Sequence, residues 1–134
     1  PAEVIEKMTL LLETTSSCVS PFIQEAAVEA LMSNQDVISE MMFAFKKRRD
    51  LMVKLINDIP YVSCVSPQGA FYVFANIKET GLSDIEFCDL ILSEVSVAAC
   101  PGSFFGKYGE GYVRFCFANS EKKIRDVGRR KAST

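Results

Sequence analysis

The chain has 134 residues, 49% of them apolar, and a formal net charge of −2 from 15 basic and 17 acidic residues. This length corresponds to one domain, and the apolar content is sufficient for a buried core and excludes an intrinsically disordered chain. The balanced charge gives no long-range attraction to nucleic acid or to an anionic membrane, and no apolar run approaches the ~20 residues that span a bilayer. We therefore expect no nucleic-acid partner and no membrane partner.

The cysteines argue against disulfides and against a metal site. There are five, an odd number, no two form a C-x-x-C pair, and the chain has no histidine. Structural zinc sites need closely spaced ligand pairs, and His-based catalytic triads need an imidazole. We expect buried thiols that pack as small apolar residues, no bound metal, and a reducing, cytoplasmic location.

The N-terminal half has the periodicity of three helices. Apolar residues at three-to-four spacing predict a first short helix over residues 1–13, and Ser20-Pro21 supplies a cap and a first-turn proline for a second that runs to about Met32. A long apolar stripe predicts a third helix from about Asp36 to Asn57. The basic run at residues 46–49 crosses this helix. A solvated face is favoured there over a targeting signal or a phosphate contact.

The C-terminal half predicts strands interleaved with helices. Strands are expected at residues 62–65, 70–77, 95–99 (buried) and 112–118, with a turn at Pro67-Gln68-Gly69. An S-x-x-E capping box, Ser83 to Glu86, opens a helix that runs to about Glu94. Residues 102–111 form a glycine-rich loop expected to be mobile, and Asn119-Ser120 opens a last helix with a basic end. The predicted fold is α+β, a small mainly antiparallel sheet covered by helices, with a long N-terminal helix.

Arg114 lies among apolar neighbours in the last predicted strand. Strand side chains alternate, so it shares a face with Tyr112 and Cys116. A guanidinium stays charged and needs an anion or water. An arginine at a sheet edge paired with a surface carboxylate is one interpretation, and composition alone favours it. The other is a fork that holds a ligand carboxylate by two hydrogen bonds.

Two other chemistries find no support in the residues. The loop around Gly106-Lys107 approaches a phosphate loop, but Tyr108 replaces the hydroxyl that meets magnesium, the spacing is one residue short, and a strand follows instead of a helix. Schiff-base chemistry needs a desolvated lysine, and by pattern every lysine lies on a charged helix face or in a loop.

Three segments together resemble one family. Residues 68–74 (QGAFYVF), 97–106 (VAACPGSFFG) and 111–118 (GYVRFCFA) are similar in order and spacing to the small domain of fold-type I, pyridoxal-phosphate-dependent class I/II aminotransferases, in their aspartate-aminotransferase-like branch. The resemblance covers essentially the whole chain. It implies that residues 1–134 form a C-terminal small domain, that Arg114 binds the α-carboxylate of the amino acid or 2-oxo acid substrate, and that the parent enzyme is a homodimer.

The resemblance also implies what this chain lacks. In the family, the Schiff-base lysine and the residues that hold the cofactor precede the stretch matched here, in the large domain of the same chain. We therefore expect pyridoxal 5'-phosphate in the parent enzyme but none bound to this piece, no catalytic residue in it, and no transaminase activity from it alone. Beginning at Pro1, the chain resembles a processed or truncated piece. A stand-alone, non-catalytic binding or oligomerisation module of the same fold stays open, as does related chemistry such as decarboxylation. Self-association through exposed apolar surface is also expected.

Overall fold

The computed structural model of the protein describes residues 1–129. Its elements in chain order are α1 (Ala2–Thr15), α2 (Pro21–Met32), α3 (Asp36–Asn57), β1 (Ser63–Cys64), β2 (Tyr72–Asn76), α4 (Asp84–Val95), β3 (Cys100–Pro101), β4 (Tyr112–Cys116) and α5 (Glu121–Arg129). The described residues fall into two units that meet within the first turn of α3, Pro1–Val37 and the part from Ile38 onward. None of the helices in residues 1–129 is long and apolar enough to cross a membrane.

The first unit contains α1 and α2. Helix α2 begins with Pro21 at its first position, directly after Ser20, as the sequence predicts, but the Ser20 side chain makes no capping hydrogen bond, so the predicted serine cap is wrong. Helix α1 extends two residues beyond the predicted end, because the hydroxyls of Thr14 and Thr15 donate to the Leu11 carbonyl at 2.9 and 2.7 Å instead of breaking the helix. Neither helix buries a side chain. The apolar residues of this unit, such as Leu31 and Met32, are therefore exposed.

Helix α3 has the predicted bounds, and side chains at both ends explain them. The Asn34 side chain accepts a hydrogen bond from the Asp36 amide at 2.9 Å, which satisfies one of the free donors at the start of the helix. At the other end, the Asn57 amide group bonds to both the N–H and the carbonyl of Cys64, at 2.8 and 3.1 Å. The long helix is thereby joined directly to β1.

The four strands form one antiparallel sheet in the order β1-β2-β4-β3. Strand β4 is central: Phe74 and Cys100 both lie opposite Arg114, one on each side. One face of the two central strands carries Val73, Ala75 and Val113, each at most 1% exposed. These residues share a core with side chains of α3, α4 and α5, chiefly Ile56, Phe87, Ile91 and Ile124. The predicted α+β fold, a small antiparallel sheet covered by helices, is confirmed.

Helix α4 opens with the predicted capping box. The Ser83 hydroxyl accepts from the Glu86 amide at 3.2 Å, and the Ser83 amide donates to the Glu86 carboxylate at 2.9 Å. The side chain and then the backbone of Ser83 lower the pKa of Glu86. The local sequence alone therefore fixed the start of this helix.

The strand predicted at residues 95–99 is wrong. Helix α4 continues to Val95, and Ser96 adopts a left-handed conformation with φ 54°. The amides of Ser96 and Val97 then bond back to the carbonyls of Leu92 and Ile91, both at 3.1 Å, and close the helix end. Strand pairing begins only at Cys100, because Val95 still belongs to the helix and the backbone of Ser96 and Val97 closes the helix end.

The other strands are shorter than predicted. Positive φ values at Tyr61 (65°) and Ala70 (58°) keep the chain from pairing before β1 and β2. Strand β4 ends at Cys116, although the amide of Phe117 still donates to the Phe71 carbonyl at 2.9 Å. The Ser120 hydroxyl accepts from the Lys123 amide at the start of α5. The predicted basic end of this helix beyond residue 129 lies outside the described residues.

The prediction of five buried thiols holds only for Cys88. All five cysteines are free, but Cys18 and Cys116 are exposed and Cys64 and Cys100 are half-buried. Desolvation, with a smaller contribution from the nearby Asp84 charge, raises the pKa of Cys88 to about 11. Among residues 1–129, no group of three or more cysteine, aspartate or glutamate side chains is placed to hold a metal ion.

Candidate functional site

Arg114 lies in the middle of the sheet, on the face opposite the core. Its backbone is paired on both sides, so it is not at a sheet edge. In the described part of the chain, no carboxylate and no other hydrogen-bond acceptor contacts its guanidinium. The interpretation as an edge arginine paired with a surface carboxylate is therefore wrong for residues 1–129.

Two aromatic rings hold the guanidinium instead. Arg114 Cζ lies 4.3 Å from the ring centre of Tyr72, on the neighbouring strand β2, and 4.4 Å from that of Phe105, in the glycine-rich loop. Each such contact contributes roughly 0.5–1 kcal/mol at a partly exposed site. Ring faces attract the cation but satisfy its N–H donors poorly. The fork thus keeps its hydrogen-bonding capacity while its position is restricted.

The rings around Arg114 are themselves packed against further aromatics. Phe74 and Tyr112 stack with their centres 5.1 Å apart and their planes within 5°. Phe105 meets Phe74 edge-on at 6.4 Å, and Phe71 lies 4.6 Å from Tyr72. Apart from Phe71, which directly precedes β2, these rings come from β2, β4 and the loop, so the antiparallel register of the sheet brings them together. We call Tyr72, Phe74, Phe105, Tyr112 and Arg114 the aromatic face.

The glycine-rich loop is built from two 3-10 turns, Gly102–Phe105 and Lys107–Gly109. At two of its glycines, Gly102 and Gly109, the backbone of one turn lies so close to neighbouring backbone that no side chain would fit. A Cβ on Gly102 would lie 2.1 Å from the Gly109 carbonyl oxygen and 2.6 Å from that of Tyr112. A Cβ on Gly109 would lie 1.9 Å from the Gly102 carbonyl oxygen. Because β4 follows this loop, the loop lacks the helix that a phosphate loop requires, in agreement with the sequence analysis.

Asp84, at the first position of α4, holds the first of these turns. Its carboxylate is buried and accepts a hydrogen bond from the Ser103 amide at 2.7 Å. Burial acts to raise the pKa of Asp84, but the hydroxyl and the amide of Ser103 stabilise the charged form and leave the pKa below its ordinary value. The hydroxyl contact falls short of hydrogen-bond geometry, since the buried Ser103 Oγ has no such partner in the described residues.

Arg114 stands out in the sequence, whereas Tyr72, Phe105 and Asp84 were not predicted as its surroundings. The two ring contacts depend on strand register and loop shape, which no local pattern encodes. Asp84 carried a weak signal, since it lies inside the predicted capping box as a second acidic residue of the first turn. That signal pointed to the helix and not to a loop 19 residues further along the chain.

The lysines offer no site for an aldehyde cofactor in this part of the protein. Every lysine whose side chain is described is exposed: Lys7, Lys46, Lys47, Lys54, Lys78, Lys107, Lys122 and Lys123. An imine-forming lysine needs a desolvated amine. Residues 1–129 therefore do not fit a covalently bound pyridoxal phosphate.

Comparison with known proteins identifies the family. The sequence matches the family "Aminotransferase class I and II" over residues 1–130. It is 41% identical over 129 residues to an aspartate aminotransferase of Pyrococcus abyssi, and 40% identical over 129 residues to aromatic-amino-acid aminotransferase 2 of Thermococcus litoralis. Each match covers 95% of this chain and 33% of the relative.

Solved structures give the same result. The crystal structure of an aromatic aminotransferase from Pyrococcus horikoshii superposes with a TM-score of 0.86 at 39% identity, covering 97% of this chain and 35% of that one. An alanine aminotransferase from Pyrococcus furiosus gives 0.85 at 35% identity, covering 97% of this chain and 33% of that one. This chain therefore belongs to the class I and II aminotransferase family. It spans about a third of the length of the relatives it matches.

Proposed function

We propose that residues 1–134 form the C-terminal small domain of a pyridoxal-phosphate-dependent aminotransferase, and that Arg114 binds the α-carboxylate of its amino acid and 2-oxo acid substrates. The observation that carries this proposal is that the Arg114 guanidinium has ring contacts but no anionic partner in the described residues. It is held between Tyr72 and Phe105, yet no carboxylate in the described residues contacts it. A permanent cation with its N–H donors free is suited to an anionic ligand.

The chemistry of a guanidinium and a carboxylate explains how the site would bind its substrate. A planar guanidinium and a planar carboxylate can form two parallel charge-assisted hydrogen bonds, which fix the orientation of the ligand as well as its position. The aromatic face excludes part of the water around Arg114, and a lower local dielectric strengthens the ion pair. Because every amino acid carries the α-carboxylate, this contact orients any of them and leaves the side chain and the amino group free.

The cofactor would be bound elsewhere in the enzyme. The described lysines are all exposed, and this chain spans a third of its relatives, so we place the cofactor and its lysine in a large domain of the same chain. The cofactor supplies the carbonyl group that accepts and returns the amino group. Without it, the 134-residue chain would have no transaminase activity.

The exposed apolar surface and the free thiols support proposals about the partners and the cellular location of the enzyme. Exposed apolar side chains on α1 and α2 support contact with the large domain and with a second subunit, in a homodimer. Five free cysteines support a reducing, cytoplasmic location. The named relatives act on aspartate, aromatic amino acids and alanine, so the proposal is limited to the carboxylate that these substrates share.

Binding of a carboxylate to the chain tests the role of Arg114. The probe is 3-phenylpropionate, which has a carboxylate for the guanidinium and a ring for the aromatic face, with 3-phenylpropanamide as its neutral counterpart. NMR titration of the Arg114 Nε–H signal should show binding of the acid and at least about tenfold weaker binding of the amide. Arg114→Gln should abolish binding, and Arg114→Lys should weaken it, because an ammonium lacks the fork.

The matched control is Arg125→Gln, which removes an exposed arginine paired with Glu121 at 3.7 Å and should leave binding unchanged. Equal binding of acid and amide, or full binding by Arg114→Gln, would overturn the proposal for this residue. An aldimine absorbance band that persists on the isolated chain after excess pyridoxal phosphate is removed would contradict the placement of the cofactor. Finding the protein in its cells at 14.9 kDa, and not within a longer chain, would favour the non-catalytic module.

A further inference from the structure

A single side-chain hydrogen bond ties the first turn of the glycine-rich loop to the helical layer. Among the described residues, Asp84 is the only side chain that bonds to Gly102–Phe105, through its 2.7 Å contact with the Ser103 amide. Asp84 is 5% exposed and is the one buried charged residue among those whose burial is described. A buried carboxylate with a specific acceptor role needs a reason to be there, since an apolar residue would avoid the cost of its desolvation.

The bonded turn leads directly to the guanidinium of Arg114. Ser103 and Phe105 lie in the same turn, which the hydrogen bond from the Gly106 amide to the Ser103 carbonyl closes at 3.0 Å. The Phe105 ring from that turn lies 4.4 Å from Arg114 Cζ. Wherever Asp84 holds the Ser103 amide, it therefore also places the Phe105 ring.

We propose that Asp84 is a positioning residue for the carboxylate site: it holds the Ser103 amide and thereby keeps Phe105 over Arg114. This inference rests on the proposed role of Arg114. Asp84 does not contact the ligand. It contributes by limiting the positions that the guanidinium can adopt before a carboxylate arrives, which reduces the ordering that binding requires.

Phe105 in this turn also contacts the Phe74 ring edge-on, but the close backbone contacts of Gly102 cannot replace the bond to Asp84. Gly102 approaches Gly109, Tyr112 and the Phe74 ring closely, and these contacts limit where the turn can go by exclusion. They supply no directional attraction. Asp84, by contrast, belongs to a helix whose Phe87, Cys88 and Ile91 lie in the core, so its carboxylate is a fixed point. Its position at the positive end of α4 and its lowered pKa both keep it charged, which strengthens the bond.

The test compares Asp84→Ala and Asp84→Asn with the wild-type chain. Asp84→Ala removes the acceptor, whereas the amide oxygen of Asp84→Asn can still accept from Ser103. We expect the affinity for 3-phenylpropionate to fall about tenfold in Asp84→Ala and about threefold in Asp84→Asn. Asp89→Asn, at an exposed position of the same helix, is the matched control and should change neither affinity nor spectrum.

A readout that needs no ligand separates the two proposals. The Phe105 ring shifts the Arg114 side-chain proton signals, and Phe105→Leu defines their values without it. In Asp84→Ala, these signals should move most of the way to the Phe105→Leu values, and the Ser103 amide should exchange faster with solvent, while the core residue Val113 keeps its signals. Unmoved Arg114 signals in a folded Asp84→Ala chain would overturn the inference. If the wild-type chain binds no carboxylate while Asp84→Ala still shows these shifts, the proposed role of Arg114 is overturned and the positioning role of Asp84 for Phe105 is not.

Discussion

The two faces of the same pair of strands have opposite properties. On one face of β2 and β4, Val73, Ala75 and Val113 are closed off by helices and are at most 1% exposed. On the other, Tyr72 and Arg114 are half-buried and Phe74 is exposed. Because side chains alternate along a strand, neighbouring residues serve different faces: the first face is buried in the core, and the second keeps a cation and several rings accessible.

The largest effect should come from opening the closed face. Phe117, 1% exposed, is one of the largest fully buried side chains, and Phe117→Ala should lower the free energy of unfolding by about 3–5 kcal/mol through lost burial and a cavity. Phe74→Ala, on the aromatic face and 38% exposed, should cost only about 1 kcal/mol. Urea denaturation followed by circular dichroism measures both. Equal costs would show that the aromatic face is part of the core.

The next effect concerns the loop that borders the aromatic face. Gly102→Ala forces a Cβ to within 2.1 Å of the Gly109 carbonyl oxygen, so the two turns must separate, at a cost of about 2–3 kcal/mol and with weaker binding of 3-phenylpropionate. Gly69→Ala meets nothing within 4 Å and should stay within about 0.5 kcal/mol of wild type. The same denaturation experiment compares them. A tolerated Gly102→Ala would mean that backbone contact does not shape the loop.

A smaller, pH-dependent effect should come from Asp84. Its pKa in the folded chain lies below the ordinary value of 3.8, so its stabilisation is fully present above that value and is lost as pH falls through the folded pKa. Asp84→Asn should therefore cost about 1–2 kcal/mol near neutral pH, and this difference from wild type should shrink as the pH falls below 3.8 and through the lowered pKa of Asp84. Both proteins carry the other carboxylates, such as Glu86, so the pH-dependent contributions of those groups to stability cancel in this difference. A cost that is independent of pH would mean that the charge of Asp84 does not matter.

The smallest effect on stability should come from Arg114 itself. Arg114→Gln loses two cation–ring contacts at a half-buried site and should change the free energy of unfolding by no more than about 1 kcal/mol, although the residue lies in mid-sheet. Carboxylate binding should nevertheless be lost. A cost of several kcal/mol in the same denaturation series would indicate a structural role and blur the distinction between the two faces.

Local sequence signals accounted for much of the fold. The capping box of Ser83 and Glu86, the proline at the start of α2 and the apolar stripe of α3 each act within a few residues, and each element begins where its signal lies. The segment at 95–99 failed because its β-branched residues suggest a strand, whereas the left-handed Ser96 ends a helix there. Whether this segment forms a strand or ends a helix depends on how α4 packs, and the periodicity of the sequence gives no information about that packing.

The sequence pointed to the cation of the candidate site but not to the residues that surround it. A charged residue within an apolar strand is visible in one line of sequence, and Arg114 was found for that reason. Tyr72 lies far from it in the chain and reaches it only because β2 pairs with β4 in one particular register. Asp84 reaches Ser103 only because α4 covers the sheet. Such contacts are properties of the tertiary structure.

The contact between Gly102 and Gly109 has a consequence for protein engineering. Main-chain atoms close the loop, and its outermost side chains, Phe104 and Tyr108, are 70% and 95% exposed. These two positions can therefore accept dyes, crosslinkers or new side chains while the geometry beneath them is preserved. The loop thus provides exposed attachment sites a few residues from Arg114, at which fluorescent or spin probes could report ligand binding.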